Sequence, residues 1–209
     1  MADIDTGSNP FLRRSYELAG AEDAAVLYDE WAETYDADIV ESMGYVGPAV
    51  AAARLAELAP SGVVLDAGAG TGLVGVELAA RGSYTVDGVD ASPVMLEKAM
   101  ATGCYRRVEV ADLTVRLPID DAAYDAVTCV GTLTEGHVGP EALAEFVRVT
   151  RSGGHVVATI LDPIWEPKGY QAAVDALVED GQVALREADE HPYRTLQDVT
   201  CRLVVLDVR

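Results

Sequence analysis

Lysine is almost missing from this chain. Lys98 and Lys168 are the only two, and with arginine they make 15 basic residues against 35 acidic ones. The formal charge of −20 creates a field that repels phosphate backbones and anionic headgroups, so neither nucleic acid nor membrane is expected as a partner. Cysteine is sparse as well. Cys104, Cys129 and Cys201 are widely spaced and odd in number, which suits buried reduced thiols rather than a disulfide framework or a zinc site. No metal is expected. No apolar run approaches the length of a membrane span, and Met1-Ala2-Asp3-Ile4-Asp5 lacks the basic and apolar regions of a secretory signal. The expected location is the cytoplasm.

What is present is a chain of 209 residues with a hydrophobic fraction of 50%, enough for one domain with a substantial core and a small appendage. Its organising stretch is Val63-Val64-Leu65-Asp66-Ala67-Gly68-Ala69-Gly70-Thr71-Gly72. Branched apolar residues that end in a carboxylate and three alternating glycines read as a buried parallel strand opening into a tight turn. Without a Cβ, these glycines permit positive φ and a close approach of backbone to ligand. The apolar periodicity from Leu73 to Arg81, stopped by Gly82, is a helix leaving that turn.

Upstream, residues 1–20 are polar and interrupted by Gly7, Pro10 and Gly20, as in a loosely held arm. From Asp23 the pattern is helical: Leu27, Trp31, Tyr35 and Ile39 recur every four residues, and Tyr28, Trp31 and Tyr35 set three rings along one face. A second helix over Ala49 to Leu58 completes a helical cap spanning 21–59. Residues 60–209 then form the ligand-binding domain.

Further strands are expected over Tyr84–Asp90, Val108–Val110, Tyr124–Val130 and His155–Leu161. A helix capped by Ser92 and Pro93 carries Val94, Leu96, Ala99 and Met100 inward. Another starts at Pro140 and stops at Gly153-Gly154. After a last helix near Tyr170 to Asp180 come two strand-like runs, Gln182–Ala188 and Thr200–Val208, joined by a polar stretch holding His191-Pro192. Strands without a crossover helix pair as an antiparallel hairpin at one side of the sheet. The fold class is α/β: a doubly wound, mostly parallel, seven-stranded sheet with an antiparallel C-terminal hairpin and an N-terminal helical cap.

Asp66, Asp90, Asp112 and the Val130-Gly131 turn end four successive strands, and in a doubly wound sheet those ends share one cleft. An ionised carboxylate only accepts hydrogen bonds, so such a cleft favours hydroxyls and amines. Asp90 lies 18 residues after Gly72 (90 − 72), the spacing of a carboxylate that takes both hydroxyls of a ribose. Gly70-Thr71-Gly72-Leu73-Val74-Gly75 also matches a dinucleotide-binding pattern. Against NAD stand the charge of Asp66 in a turn that would receive pyrophosphate, the long segment before the first strand, and the third acid, Asp112, placed for an exocyclic amine. S-adenosyl-L-methionine has the ribose, the amines and a positive sulfonium, and no phosphate.

The same residues carry a resemblance. Val63 to Gly72 with Asp90, Ala111-Asp112 and Tyr124-Asp125-Ala126-Val127 resemble the motif series of class I S-adenosylmethionine-dependent methyltransferases, whose sheet is Rossmann-like. Tyr28-Asp29-Glu30-Trp31 with Tyr35-Asp36, and Val130 to Val138, resemble the small methyltransferase-like proteins of the Williams–Beuren critical-region group. The resemblance implies that Asp66, Gly68, Ala69, Gly70 and Gly72 form the cofactor turn and that Asp90 with Ala91 takes the ribose. It further implies that Asp112 and Leu113 meet the adenine, that Val130 lines the site, and that Tyr28 and Tyr35 close over the methionine end. The fourth strand ends without the Asn-Pro-Pro-Tyr type of turn used by enzymes that methylate nucleic-acid amines.

Methyl transfer from a sulfonium is an in-line displacement, so alignment supplies much of the catalysis and a base is needed only for a protonated acceptor. His137, just beyond the fourth strand, is the candidate base, with Glu135 the weaker alternative. His155 and His191 lie elsewhere. Tyr45 and Trp165 are candidate walls for a small-molecule acceptor. Competing functions are a non-methylating cyclase or isomerase on the same fold, an NAD-linked oxidoreductase, and a non-catalytic binding protein.

Overall fold

The computed structural model describes residues 9–18, 20–135 and 138–209. The branched residues of β1 (Ser61–Ala67) form its centre, and the last four residues of that strand are all buried, as in a strand covered on both faces. It pairs in parallel with β2 (Ser83–Asp90), Val64 opposite Val86, and on its other side with β4 (Tyr124–Leu133), Val64 opposite Ala126. Strand β3 (Tyr105–Val110) lies outside β2, and β5 (Thr150–Leu161) lies outside β4. The last two strands, β6 (Val183–Arg194) and β7 (Val199–Val208), form the hairpin. Strand β7 runs antiparallel between β5 and β6, giving the order β3-β2-β1-β4-β5-β7-β6. The strand order reverses between β1 and β4, the place where open α/β sheets leave a crevice beyond their carboxyl ends.

Helices α1 (Pro10–Ser15), α2 (Ala21–Trp31) and α3 (Gly47–Leu58) precede the sheet. Helices α4 (Leu73–Ala79), α5 (Pro93–Ala101), α6 (Ala142–Val149) and α7 (Tyr170–Glu179) follow β1, β2, β4 and β5. The core runs from Leu55 of α3 through Leu65, Val127 and Val157 of the sheet to Phe146 of α6, all essentially without exposed surface. No described helix is long and apolar enough to cross a membrane.

Several local expectations are corrected. Part of the segment expected as a loose arm, 1–20, is helix α1, capped by the Asn9 side chain, which accepts from the Phe11 and Leu12 amides. Phe11 stacks on Trp31 at 5.6 Å between centroids; residues 1–8 lie outside the described residues. The helix expected through Ile39 ends at Trp31 and is followed by a turn and a π-helical turn, Ala37–Glu41. The break lets the Trp31 indole donate to Asp38 at 2.7 Å. Met100, expected inward, is exposed and Met95 is buried in its place, because the inward face of α5 runs through Met95, Leu96 and Ala99. Gly153-Gly154 does not stop α6. The Thr150 hydroxyl donates to the Phe146 carbonyl at the helix end, and the glycines enter β5, where a Cβ on Gly154 would lie 2.4 Å from the Asp125 carbonyl oxygen. His191-Pro192 lies within β6 rather than in a loop. As the sheet's edge strand, β6 tolerates a proline without a ladder N–H.

Candidate functional site

Beyond the carboxyl ends of β1, β2, β3 and β4 lies a cleft with about 690 Å³ of free space including its open mouth, within the usual range for small-molecule sites. The turn after β1 folds onto β2, where the Gly68 and Ala69 amides both donate to the Val89 carbonyl. Gly68 has φ +81°, and a Cβ there would sit 1.9 Å from Thr132 Oγ1. Only glycine therefore lets the ends of β1 and β4 approach this closely. Asp90 ends β2, and its two carboxylate oxygens accept from the Gly70 and Ser92 amides, each at 2.9 Å. Burial pushes the Asp90 carboxyl up, while the amides of Ser92, Gly70 and Ala91 pull it back down. Asp112, two residues past the end of β3, is half-buried and accepts from the Thr114 amide and hydroxyl at 2.8 and 2.6 Å.

The tertiary fold brings together Tyr28, Tyr35, Gly68, Gly70, Asp90, Ala91, Asp112, Leu113 and Val130 on the walls of this one cleft. Asp66, Ala69 and Gly72 are not among the wall residues; they lie beneath it. Asp66 is fully buried and accepts from the Tyr105 hydroxyl at 2.6 Å and the Thr128 hydroxyl at 2.9 Å. Burial pushes its carboxyl up to about 6 against the pull of those two hydroxyls. Gly72 begins α4 and packs on α5, a Cβ there being 2.9 Å from the Ala99 backbone. Ala69 is 6% exposed and covers Gly88.

Sequence reasoning missed the residues that tie the cap to this turn. The Ser92 hydroxyl donates to Asp29 at 2.5 Å, and the Thr71 hydroxyl donates to Asp36 at 2.6 Å. These two bonds fasten α2 and the turn after it to the turns that follow β2 and β1. Both acids lie next to aromatic residues that the periodicity does single out, Tyr28 and Tyr35, but nothing in the spacing shows where their carboxylates reach. Ala24, Met95 and Thr132 also wall the cleft.

A second, smaller cavity adjoins the first, and Tyr28, Tyr35 and Gly131 belong to both. Tyr45 lines it together with Tyr16, Tyr193 and Arg194. The Tyr45 and Tyr193 rings meet edge to face at 5.0 Å. A Cβ on Gly131 would lie 2.6 Å from the Tyr45 hydroxyl, so the glycine after Val130 makes room for that ring. Trp165 lines neither cavity; it is 8% exposed and packs in the core after the 3-10 turn Asp162–Ile164. Burial pushes the phenols of Tyr28, Tyr35, Tyr45 and Tyr193 well up. They stay protonated and act as donors rather than bases. His137 lies outside the described residues. Glu135 is ion-paired with Lys168 at 2.7 Å, and His155 and His191 pair with Asp207 and Glu187 away from both cavities.

The described walls of the larger cleft carry two formal charges, Asp90 and Asp112, and both are negative. Such an acceptor set fits a cationic nucleoside rich in hydroxyls and amines, and it does not fit a pyrophosphate. The sheet order, the glycine turn after β1 and the carboxylate that ends β2 define a class I S-adenosylmethionine-dependent methyltransferase, with S-adenosyl-L-methionine as its cofactor.

Comparison with known proteins agrees. Residues 64–154 match a methyltransferase domain family. Methyltransferase-like protein 27 of Homo sapiens is 39% identical over 168 residues, which cover 76% of this chain and 68% of that protein. A demethylmenaquinone methyltransferase of Mycolicibacterium gilvum (strain PYR-GCK) is 40% identical over 138 residues, covering 65% of this chain and 58% of the enzyme. The chain thus spans less than two thirds of that enzyme's length. The crystal structure of a TehB-like SAM-dependent methyltransferase from Corynebacterium glutamicum shares the fold with a TM-score of 0.63 at 21% identity, over 88% of this chain and 99% of that one. The chain belongs to the S-adenosylmethionine-dependent methyltransferase family that includes methyltransferase-like protein 27.

Proposed function

We propose that this enzyme methylates a small-molecule acceptor seated in the second cavity. The observation that carries the reading is the shared wall: Tyr28, Tyr35 and Gly131 face both the acidic cleft and the adjoining cavity. A cofactor in one and an acceptor in the other would therefore meet there. Asp90 and Ala91 would hold the ribose, Asp112 and Leu113 the adenine, and Gly68 and Gly70 the turn side of the cofactor. When bound, S-adenosyl-L-methionine supplies an electrophilic methyl group for an in-line displacement. Tyr28 and Tyr35 separate the two compartments and keep water from the shared wall, while their protonated hydroxyls orient what lies on either side. His137 is proposed as the base for acceptors that must lose a proton. The mycobacterial relatives named for demethylmenaquinone supply a small-molecule precedent.

Calorimetry with S-adenosyl-L-methionine, S-adenosylhomocysteine and NAD tests the cofactor half: the first two should bind and NAD should not. Incubation with an acceptor should release S-adenosylhomocysteine in proportion to methylated product. Product formed without it would instead show a cyclase or isomerase that uses the cofactor only for charge.

A further inference from the structure

In the segment Tyr28-Asp29-Glu30-Trp31 with Tyr35-Asp36, the tyrosines line the cofactor cleft and the two aspartates reach the turns beside it. Asp29 accepts from the Ser92 hydroxyl at 2.5 Å, and Asp36 accepts from the Thr71 hydroxyl at 2.6 Å. Those partners sit where Asp90 is oriented. The Ser92 amide donates to one Asp90 oxygen, and the amide of Gly70, the residue before Thr71, donates to the other, each at 2.9 Å. Each turn that fixes the Asp90 carboxylate is thus held by one acid of the cap.

Helices α1 and α2 with the π-helical turn hold together through their own side chains. The rings of Phe11, Tyr28, Trp31 and Tyr35 meet one another at 4.8 to 6.0 Å between centroids, and the Trp31 indole donates to Asp38. Just beyond them the main chain is stitched to the hairpin of β6 and β7. The Val46 amide donates to the Tyr193 carbonyl at 2.9 Å, the Thr195 amide to the Gly44 carbonyl at 3.0 Å, and the Leu196 amide to the Met43 carbonyl at 3.1 Å. At the cofactor turns, by contrast, the bonds of Asp29 and Asp36 join a hydroxyl to a carboxylate. Either group can take water instead, and the net worth of such a bond is small enough for a ligand to tip. Most of the described walls of the second cavity, among them Leu12, Tyr16, Tyr28, Trp31, Tyr35 and Ile39, belong to these cap elements.

We propose that Asp29 and Asp36 are positioning residues that couple closure of the cap to occupancy of the cofactor cleft. A nucleoside on Asp90 fixes the turns that carry Ser92 and Thr71, and fixed turns present their hydroxyls to the cap. By linkage, a closed cap raises cofactor affinity by the same factor. The acceptor then enters a cavity that the cofactor has completed, so the cofactor binds first. That last consequence rests on the function proposed above; the coupling rests on the cofactor cleft alone.

Amide hydrogen exchange of the full chain, with and without saturating S-adenosylhomocysteine, is read in residues 10–15 and 37–41, alongside calorimetry. These residues do not line the cofactor cleft, so slowing there reports the cap and not shielding by the ligand. In the wild-type chain the ligand should slow their exchange by roughly tenfold or more. Asp29→Ala and Asp36→Ala should each weaken S-adenosylhomocysteine binding on the order of 10- to 100-fold, the span of a hydrogen bond to a charged group. Combined, they should abolish the slowing even at saturation. Asp29→Asn and Asp36→Asn keep a carbonyl oxygen for the hydroxyl and should recover most of both effects; damage to a merely structural bond would lower stability without removing the response to ligand. Equal wild-type exchange with and without ligand, unchanged affinity in both alanine variants, or slowing that survives the combined substitution would each overturn the proposal. If the alanine variants do not fold, the wild-type comparison alone still upholds or refutes the coupling. Slowed exchange in a protein that methylates no small molecule would sink the proposed function and uphold this inference; normal S-adenosylhomocysteine binding without slowing would sink this inference alone.

Discussion

Asp66→Asn distinguishes a carboxylate that sits under the cofactor turn from one that touches the cofactor. Burial raises the Asp66 carboxyl from 3.8 to about 6. An acid whose native pKa exceeds its unfolded value stabilises the fold fully below the unfolded pKa, and that stability is lost as pH rises through the native value. Roughly two pKa units, at about 1.36 kcal/mol each, correspond to about 3 kcal/mol. Asparagine has nearly the same shape and does not ionise. Its carboxamide oxygen accepts one of the two hydroxyls, and Thr128 can turn its own hydroxyl to accept from the amide N–H. The unfolding free energy of the variant minus that of the wild type should therefore rise by about 3 kcal/mol between pH 3 and pH 7. Urea titrations followed by tryptophan fluorescence across that range measure it. Taking the difference cancels the other titrating groups: Asp125, held low by the Val63 amide and Arg151, and Glu145, held low by Arg148, lose their contributions as pH falls in both proteins. S-adenosylhomocysteine affinity of the variant should stay within roughly threefold of wild type, since small changes without a lost contact are of that order. Parallel pH profiles together with a large loss of affinity would refute the reasoning, because Asp66 would then be a ligand rather than a buried support.

The remaining predictions concern the walls and the base. Asp90→Ala removes the acceptor of the Gly70 and Ser92 amides as well as the proposed ribose partner. It should weaken S-adenosyl-L-methionine binding by roughly 100-fold or more; calorimetry showing near-normal affinity would end the assignment. Gly68→Ala drives a Cβ against Thr132 at a φ of +81°. It should lower stability by about 2 to 4 kcal/mol from strain and overpacking, and adding Thr132→Ala should restore part of that in thermal unfolding. His137→Ala should cut turnover while leaving cofactor affinity intact, and unchanged turnover would remove it as the base.

The parts of this protein legible in the sequence are those set by local rules. The run into Asp66 and the alternating glycines mark β1 and its turn, because a doubly covered parallel strand must be apolar and a ligand turn must be free of Cβ atoms. The spacing to Asp90, the Ser92-Pro93 start of α5 and the closing hairpin follow from capping and pairing rules of the same short range. The shortage of positive charge and the acids at successive strand ends already favoured a cationic nucleoside over a dinucleotide.

Tertiary structure decided which of those acids faces the cleft. Asp66 and Asp90 look alike in sequence, each the carboxylate near a strand end, yet one is sealed beneath Tyr105 and Thr128 while the other opens onto the site. Asp66 stands opposite Gly88, so Asp90 lies on the same face of the sheet but two residues further along, at the strand end where the cleft opens, and composition carries no record of that offset. Long-range packing also decided that Asp29 and Asp36 fasten the cap to the turns, that Trp165 belongs to the core, and that Arg194 reaches from the last hairpin to a wall shared with Tyr45. Such meetings join residues far apart along the chain, and they exist only once the sheet has ordered its strands.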